Sequence, residues 1–383
     1  MFDVAVVGAG PAGAWTACLL ARAGARVTIV DGSHPREKPC GGGVTGRALA
    51  LVDAALDRSR VPVVQVQSAT FRGGNGRMVD VPLPQDSAAL VVASRAAFDG
   101  ALLDAAIHAG AAHLPAQVLD ISRDGRTFTV RTSGGTLHAR RIVGADGANS
   151  LVRRRFARPF PRGQLSIATG YFARGATSRT IELEMVDDPP GYIWSFPRPD
   201  HLAIGICAQA DAGVTAGDLR AMASRWISAT CIAAGSELVP YSWPIPSLDA
   251  NGFDTVTTYG EGWLLVGDAA GLVDPITREG IYYAIESARL AAAALVGSGF
   301  VERAYGDALH GDVFDELRRA ARLKSGFFRP RFTRLLLDAL ETSEPVREVM
   351  ADLVAGAQPY RSLKRRLAAT FEWGLAWRAL AGA

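Results

Sequence analysis

The first thirty residues constrain the fold of this chain most. Residues 2–7 form an apolar run, the turn Gly8-Ala9-Gly10-Pro11-Ala12-Gly13 follows at once, and residues 15–23 have helical character. A second apolar run, residues 25–30, ends at Asp31. This order of strand, glycine turn, helix, strand and acid is typical of a unit that binds a dinucleotide.

Each residue type in this unit has a physical reason. Gly8 permits the tight turn, Gly10 allows the backbone to approach a pyrophosphate, and Gly13 allows the helix to pack closely on the strand. The N-terminus of the helix that follows this turn offers free N–H groups and a partial positive charge to phosphates. Asp31 can accept hydrogen bonds from a ribose 2′-hydroxyl group, whereas it would repel a 2′-phosphate.

Two later strands also end in a glycine and an acid. Residues 136–143 lead into Asp146-Gly147, and residues 262–266 lead into Gly267-Asp268, each before a predicted helix. Asp268 is placed to accept hydrogen bonds from a polyol, and the amides of Gly280 and Ile281 are placed to stabilise negative charge. A nicotinamide cofactor alone would not need this second site. A flavin dinucleotide would, because it carries a ribityl chain and an isoalloxazine ring.

Composition narrows the functional classes. With 383 residues the chain can form two or three domains, and its net charge of +3 is too small to indicate nucleic-acid binding. The four cysteines lack CxxC spacing, which argues against a zinc site, an iron–sulfur cluster or a disulfide scaffold and fits a reducing cytosol. No apolar run approaches the ~20 residues of a membrane span. We therefore expect a cytoplasmic protein without a metal site.

The loop at residues 32–43 contains two prolines and the triplet Gly41-Gly42-Gly43. Such a backbone is suited to pass close to a flat or bulky group, and Cys40 could face that ligand. The alternative is a flexible linker with a small buried thiol. Arg95 begins a predicted helix, where a cation is disfavoured unless a phosphate lies nearby. A solvated surface arginine is the alternative.

Residues 164–209 contain one predicted strand after another, which predicts an antiparallel sheet in a separate layer. Tyr192, Trp194 and Phe196 alternate along one strand and therefore share one face, either as a pocket wall or as a core face under helices. The remainder is helical, and residues 318–334 and 364–377 combine basic and aromatic side chains. That combination favours either contact with an anionic membrane surface or a solvated face over a packed one.

Together these stretches resemble the geranylgeranyl reductase family of FAD-dependent oxidoreductases, in the aromatic-hydroxylase-like flavoprotein superfamily. The most particular likeness is Tyr192-Ile-Trp194-Ser-Phe196-Pro197, followed after seven residues by Gly205-Ile-Cys207, which is similar to the family's YxWxFP…GxG signature. This sequence departs from the family pattern at three positions. Cys207 stands for the usual second glycine, Arg278 stands where the family often has a glycine beside the flavin, and Asp31 stands for the more frequent Glu.

The resemblance implies an α/β fold. A Rossmann-like FAD/NAD(P)-binding domain of the glutathione-reductase-like, aromatic-hydroxylase type would comprise residues 1–60, 90–155 and 260–298. An antiparallel β-sheet substrate domain would comprise residues 61–89 and 156–259, and a helical C-terminal region residues 299–383. The cofactor-binding residues would be Gly8, Gly10, Pro11, Ala12, Gly13, Asp31, Lys38, Cys40, Gly41, Gly42, Gly43, Arg95, Val118, Asp146, Gly147, Gly267, Asp268, Gly280 and Ile281.

The implied reaction is hydride transfer from reduced FAD to a carbon–carbon double bond of a polyprenyl substrate, with NAD(P)H or a reduced carrier protein as electron donor. The substrate-binding residues would be Tyr192, Trp194, Phe196, Pro197 and Gly205, and Cys40 would either donate the proton or shape the cavity. Two alternatives remain. One is an FAD-dependent monooxygenase or halogenase acting on an aromatic or polyketide substrate, and the other is a flavin electron carrier to a protein partner. The expected partner is a hydrophobic small molecule, with peripheral contact of the C-terminal region at the inner face of a membrane as a further expectation.

Overall fold

The structure is a computed structural model that describes residues 1–73, 76–87, 89–297 and 299–370. Its strands are β1 (Phe2–Val7), β2 (Val27–Val30), β3 (Gly43–Val44), β4 (Val63–Gln65), β5 (Ser68–Arg72), β6 (Met78–Pro82), β7 (Val91–Ala93), β8 (Ala112–Leu114), β9 (Val118–Asp124), β10 (Thr127–Thr132), β11 (Gly135–Gly144), β12 (Leu165–Arg174), β13 (Thr180–Val186), β14 (Gly191–Pro197), β15 (His201–Gln209), β16 (Glu237–Pro246), β17 (Tyr259–Gly260) and β18 (Trp263–Leu265).

Its α-helices are α1 (Pro11–Arg22), α2 (Gly46–Val52), α3 (Arg95–His108), α4 (Leu151–Phe156), α5 (Ala216–Thr230), α6 (Ala250–Thr255), α7 (Ile281–Val296), α8 (Val301–Leu309), α9 (Asp315–Phe327), α10 (Pro330–Thr342), α11 (Glu344–Val354) and α12 (Tyr360–Ala368). A π-helical segment, His310–Phe314, joins α8 to α9.

An eight-stranded sheet forms the centre of the first layer. Strand β1 pairs in parallel with β2 on one side and with β11 on the other, and β11 continues in parallel to β18. Helices α1, α3 and α7 pack together beside this sheet, so most residues of β1 and all residues of β2 are buried. Parallel strands that are covered in this way need near-continuous apolar sequences, which these strands have. The carboxyl ends of β1, β2 and β11 therefore meet at one edge of the sheet.

A seven-stranded sheet forms the second layer, in the order β16-β12-β15-β14-β13-β5-β6. The sequence did not indicate β16, because Pro240, Pro244 and Pro246 interrupt its pattern. Those prolines are tolerated because β16 is an edge strand. Strand β4 lies within the range 61–89 that was predicted to belong to the antiparallel-sheet domain, but it pairs with β7 in a separate three-stranded sheet.

After α7, helix α8 packs on α7 and on β17 of the first sheet, whereas α10 and α11 contact β6 of the second sheet. The fold is the predicted α/β FAD-binding class with an antiparallel sheet and a helical C-terminal region, so the fold-class prediction is confirmed. No helix among the described residues has both the length and the apolar character that crossing a bilayer requires. Phe371, Trp373 and Trp377 lie outside the described residues.

Candidate active site

A cavity of about 810 Å³ lies between the carboxyl edge of the eight-stranded sheet and one face of the seven-stranded sheet. On the first side it is lined by the turn after β1, the start of α1, the segment after β11 and the start of α7. On the second side it is lined by side chains from β5, β12, β13, β14 and β16. The cavity therefore joins a polar wall of turns and helix N-termini to an apolar floor.

Helices α1 and α7 begin at this cavity without a side-chain cap among the described residues. Neither α1 nor α7 has a side chain that accepts a hydrogen bond from its first N–H groups, and neither has an acidic residue in its first turn. By contrast, α3, α4 and α5 are capped by Ser94, Ser150 and Thr215. The unpaired N–H groups of α1 and α7 and the dipoles of these helices suit an anionic ligand such as a pyrophosphate.

Asp31 lies at the wall of the cavity, where its carboxylate accepts several hydrogen bonds from the protein. Its Oδ2 accepts hydrogen bonds from the N–H of Ala9 at 2.9 Å and from His34 Nδ1 at 2.8 Å, and its Oδ1 accepts from the N–H of Ser33 at 2.6 Å. Burial alone would raise the pKa of Asp31, but the hydrogen bonds from His34, Ala9 and Ser33 hold the pKa below its usual range. The carboxylate therefore stays ionised and available to a ribose hydroxyl group.

Two further carboxylates reach the cavity from the ends of β11 and β18. Asp146 Oδ2 accepts from the N–H of Leu151 at 2.6 Å, while its buried Oδ1 has no partner among the described residues. Burial raises the pKa of Asp146, although hydrogen bonds from Ser150 and Leu151 oppose that shift. Asp268 accepts from Lys38 Nζ at 3.1 Å. These oxygens are suited to hydroxyl groups of a sugar or a ribityl chain.

The loop of Cys40 crosses the cavity and packs on the protein itself. A Cβ atom on Gly41 would lie 2.9 Å from the ring of Phe196, and one on Gly43 would lie 3.2 Å from it. Gly42 has a left-handed φ of 84°, which favours glycine. The flat group that the glycine triplet was predicted to accommodate therefore includes the ring of Phe196.

Arg198 holds this loop in place. The fully buried guanidinium group donates to the carbonyl of Cys40 at 2.6 Å and to that of Gly41 at 3.2 Å, and it pairs with Glu37. Glu37 in turn accepts hydrogen bonds from the first N–H groups of α3. The sequence analysis did not single out Arg198, although its place directly after the Tyr192–Pro197 motif was a usable signal. Arg198 ties the floor, the loop and α3 into one unit.

Arg95 is neither a solvated surface residue nor an unpaired cation, so the surface alternative is wrong. It is 3% exposed, and its guanidinium group donates to both carboxylate oxygens of Asp99, at 2.9 and 2.7 Å. Burial would lower the pKa of Arg95, but the charge of Asp99 raises it, and contact with Cys40 adds to the rise. The guanidinium group of Arg95 therefore lies beside the Cys40 thiol, and Asp99 balances its charge without a phosphate.

The floor of the cavity is one continuous face of the seven-stranded sheet. Strand register aligns one row across six strands, consisting of Tyr241, Gly170, Gly205, Trp194, Leu183 and Phe71. A Cβ atom on Gly205 would lie 2.4 Å from the Trp194 ring and 2.5 Å from the Tyr241 hydroxyl. Gly205 therefore allows the indole ring to lie flat on the sheet.

Helices of the C-terminal region form a wall that sequence reasoning missed. Phe327 of α9 and Met350, Leu353 and Val354 of α11 line the cavity. The last three are spaced i, i+3 and i+4, so they lie on one helix face. Phe328 is buried and stacks on Tyr192, with ring centroids 6.2 Å apart and an interplanar angle of 3°. The aromatic pair Phe327 and Phe328 therefore faces the sheet.

The comparisons with known proteins agree with this geometry. Residues 1–211 match the family model described as an FAD binding domain. The chain is 30% identical to a geranylgeranyl diphosphate reductase of Rhodobacter capsulatus, with 95% of each chain covered. The chain belongs to the geranylgeranyl reductase family of FAD-dependent oxidoreductases.

A second relative and a solved structure are also similar to this chain. A menaquinone reductase of Mycolicibacterium smegmatis is 32% identical, with 78% of each chain covered. The crystal structure of a geranylgeranyl bacteriochlorophyll reductase-like protein from Thermoplasma acidophilum has a TM-score of 0.80 and 22% identity, covering 96% of this chain and 99% of that chain. The structural likeness shows the fold, the family model indicates the FAD cofactor, and the reductase-named relatives indicate the reductase class.

For this member of the family, most of the predicted cofactor residues line the cavity, including Val118, Gly147, Gly280 and Ile281. Gly13 and Gly267 do not. Gly13 packs on Gly8, and Gly267 packs between Ala12 and Ala284, so both act in helix packing. Of the predicted substrate residues, Tyr192, Trp194 and Phe196 line the cavity.

Two of the predicted substrate residues, Pro197 and Gly205, do not line the cavity. Gly205 lies beneath Trp194 and Tyr241 instead of lining the cavity. Pro197 follows Phe196 on β14, and successive side chains of a strand point to opposite faces, so Pro197 faces away from the cavity. Cys207 is buried beneath the floor, with 1% exposure, and does not line the cavity either.

Proposed function

We propose that this protein reduces a carbon–carbon double bond of an isoprenoid substrate that lies on the aromatic floor of the cavity. The observation that carries this proposal is the continuity between the cofactor wall and the apolar floor. A single cavity holds both the uncapped starts of α1 and α7 and the row of aromatic side chains. An extended apolar molecule can therefore lie directly against a flavin.

In this proposal the polar wall holds FAD. The N–H groups at the start of α1 would bind the pyrophosphate, Asp31 a ribose hydroxyl group, and Asp268 the ribityl chain. Lys38 neutralises Asp268 and limits the cost of burying its charge. When bound and reduced, FAD supplies the hydride; the chain's residues position the substrate and exclude water.

The remaining residues have positioning roles in this proposal. Tyr192, Trp194 and Phe196 orient the isoprenoid chain on the floor, and the α11 face closes the cavity against solvent. Cys40 holds a proton at the cavity wall, in a loop whose backbone is fixed by Arg198. Such a group can protonate a substrate carbon if it lies within hydrogen-bonding reach.

The test is the mass of the product under controlled redox conditions. FAD-loaded protein is mixed without oxygen with geranylgeraniol or its diphosphate and with NADPH, NADH or a reduced carrier protein. We expect flavin bleaching by at least one donor and a product heavier by two hydrogen atoms. Incorporation of an oxygen or halogen atom, in aerobic reactions only, would support a monooxygenase or halogenase instead. Electron transfer to a protein without any modified substrate would support the carrier alternative.

Contact with a membrane surface stays a prediction. Arg361, Lys364 and Arg365 of α12 are exposed, and Phe332 of α10 is 37% exposed, which is compatible with an anionic lipid surface. The inward packing of Phe327 and Phe328 removes two of the aromatic side chains on which that prediction depended.

A further inference from the structure

The cationic side chains of the cavity differ in how their charges are balanced. Lys38 pairs with Asp268, and Arg95 pairs with Asp99. Arg36 lies over the ring of Trp243, 4.9 Å from its centroid. Arg278 lines the cavity as well, but no carboxylate of the described residues lies within ion-pairing distance of it. Its charge therefore has no carboxylate partner among the described residues.

The geometry of Arg278 is unusual. Its backbone has a φ of 60°, in the left-handed region that a side chain as large as arginine rarely occupies. Nη1 donates to Ser247 Oγ at 2.5 Å, while the buried Nε has no partner in the described part of the chain. A guanidinium group has five N–H donors, so most of this hydrogen-bonding capacity is unused within the described part of the chain. A buried donor without a partner is costly unless a ligand satisfies it.

A second cation lies directly behind Arg278. Lys324 Nζ donates to the same Ser247 Oγ at 2.8 Å and to Gln209 Oε1 at 2.9 Å, so one hydroxyl oxygen bridges the two cationic groups. Burial, together with the charge of Arg278, lowers the pKa of Lys324 to about 7. Asp211 and Asp249 act on Lys324 only from beyond ion-pairing distance. Arg278, joined by Lys324 in its protonated form, therefore creates a positive potential at this point of the cavity.

Arg278 and Lys324 have a defined place relative to the seven-stranded sheet. Ser247 follows β16, at one edge of the seven-stranded sheet. Phe71 lies on β5, five strands away from β16 in the same sheet. At about 4.8 Å per strand, the separation of these two strands is roughly 24 Å. That far end is apolar, because Leu183 and the α11 residues Met350 and Leu353 belong to the same hydrophobic cluster as Phe71. The same cluster includes Ile276, two residues before Arg278, so an apolar lining runs from the α11 face to the cation that donates to Ser247.

We propose that Arg278, backed by Lys324, binds the anionic phosphate or diphosphate head group of the isoprenoid substrate, whose chain extends across the sheet towards α11. This inference rests on the proposed function and names the substrate class for it. A glycine, which the family often has at this position, would carry no charge, so the head-group site is a property of this chain. A neutral quinone or alcohol would leave the charge of Arg278 uncompensated.

The test compares two probes on FAD-loaded protein, geranylgeranyl diphosphate and geranylgeraniol, which share the same chain and differ in the head group. Geranylgeranyl monophosphate is a third probe, which distinguishes a phosphate head group from a diphosphate head group. The first variant is Arg278→Gly, because glycine suits the left-handed backbone and cannot fail through backbone strain. Lys324→Met removes the second charge, and Arg331→Gln, an exposed arginine of α10, is the matched control.

We expect the wild type to bind the diphosphate at least ~10-fold more tightly than the alcohol, since charge-assisted hydrogen bonds are the strong ones. Arg278→Gly should abolish that difference, Lys324→Met should reduce it, and neither should change affinity for the alcohol or for FAD. Arg331→Gln should behave as the wild type.

Three results would overturn the head-group site. Equal binding of both probes by the wild type, with normal reduction of the alcohol, would remove it and leave the proposed function intact. A loss of FAD affinity in Arg278→Gly would assign the pair to the cofactor instead. A wild type that binds neither probe would overturn the proposed function together with this inference.

Discussion

Gly13→Ala is expected to prevent stable folding and FAD binding. A Cβ atom at residue 13 would lie 1.9 Å from the carbonyl oxygen of Gly8 and 3.0 Å from Ala145 Cβ. The first of these atoms is backbone in the turn that precedes α1, so no flexible side chain can move aside. Overpacking at such a point costs about 3 kcal/mol or more, because α1 must shift away from β1. That shift would also displace the N–H groups that face the cavity.

Two further alanine substitutions make this prediction specific. At Gly10 the nearest atom to a new Cβ would be His34 Nε2 at 3.6 Å, an ordinary contact. Gly10→Ala should therefore fold normally and lose FAD affinity only, because the methyl group would enter the cavity where the pyrophosphate approaches. At Gly311 a Cβ would meet no atom within 4 Å, so Gly311→Ala should change neither property. Soluble yield, thermal unfolding and flavin absorbance of the three variants measure these effects. Wild-type unfolding and FAD content in Gly13→Ala would show that α1 is not held by this contact.

Cys40→Ala is expected to slow double-bond reduction by ~100-fold or more if the thiol donates the proton. The thiol lines the cavity beside Arg95, and the backbone of its loop is held by Arg198. The substitution should therefore leave the loop in place, although the contact from the Gly42 N–H to Cys40 Sγ at 3.3 Å is lost. FAD content and the rate of flavin reduction should stay at wild-type values, so that the defect appears only in transfer to the substrate.

Single-turnover oxidation of reduced protein by geranylgeranyl diphosphate measures that step. Cys40→Ser keeps a small group with a proton and should retain part of the rate. Cys231→Ala is the control, because Cys231 is an exposed thiol at the end of α5. An unchanged rate in Cys40→Ala would end the donor role and leave Cys40 as a packing residue of the loop.

The parts of the site that were predictable are those in which function depends on local backbone geometry. A glycine at 8, 10 and 13 and an acid at the end of β2 imply a phosphate site without knowledge of distant residues, because all the contacts fall within one βαβ unit. The alternation of Tyr192, Trp194 and Phe196 likewise placed three rings on one face, because the period of a strand is a local property.

Other features depended on contacts between residues far apart in the chain. The glycine triplet after Cys40 indicated a close flat or bulky neighbour, but only the tertiary structure placed the ring of Phe196 there. Arg95 looked anomalous at a helix start because its partner, Asp99, matters only once both side chains are buried together. The edge position of β16 could not be inferred either, since its prolines are unfavourable everywhere except at an edge.

The sequence by itself determined the cofactor class, the α/β architecture and the aromatic face, because each follows from backbone conformation and side-chain period over short stretches. The tertiary structure alone decided what surrounds that face. It brought α11 onto the apolar end of the cavity, Arg198 onto the Cys40 loop, and Lys324 behind Arg278. The physical reason is that burial and charge compensation depend on which distant residues meet, and a sequence pattern records only the residues that are close along the chain.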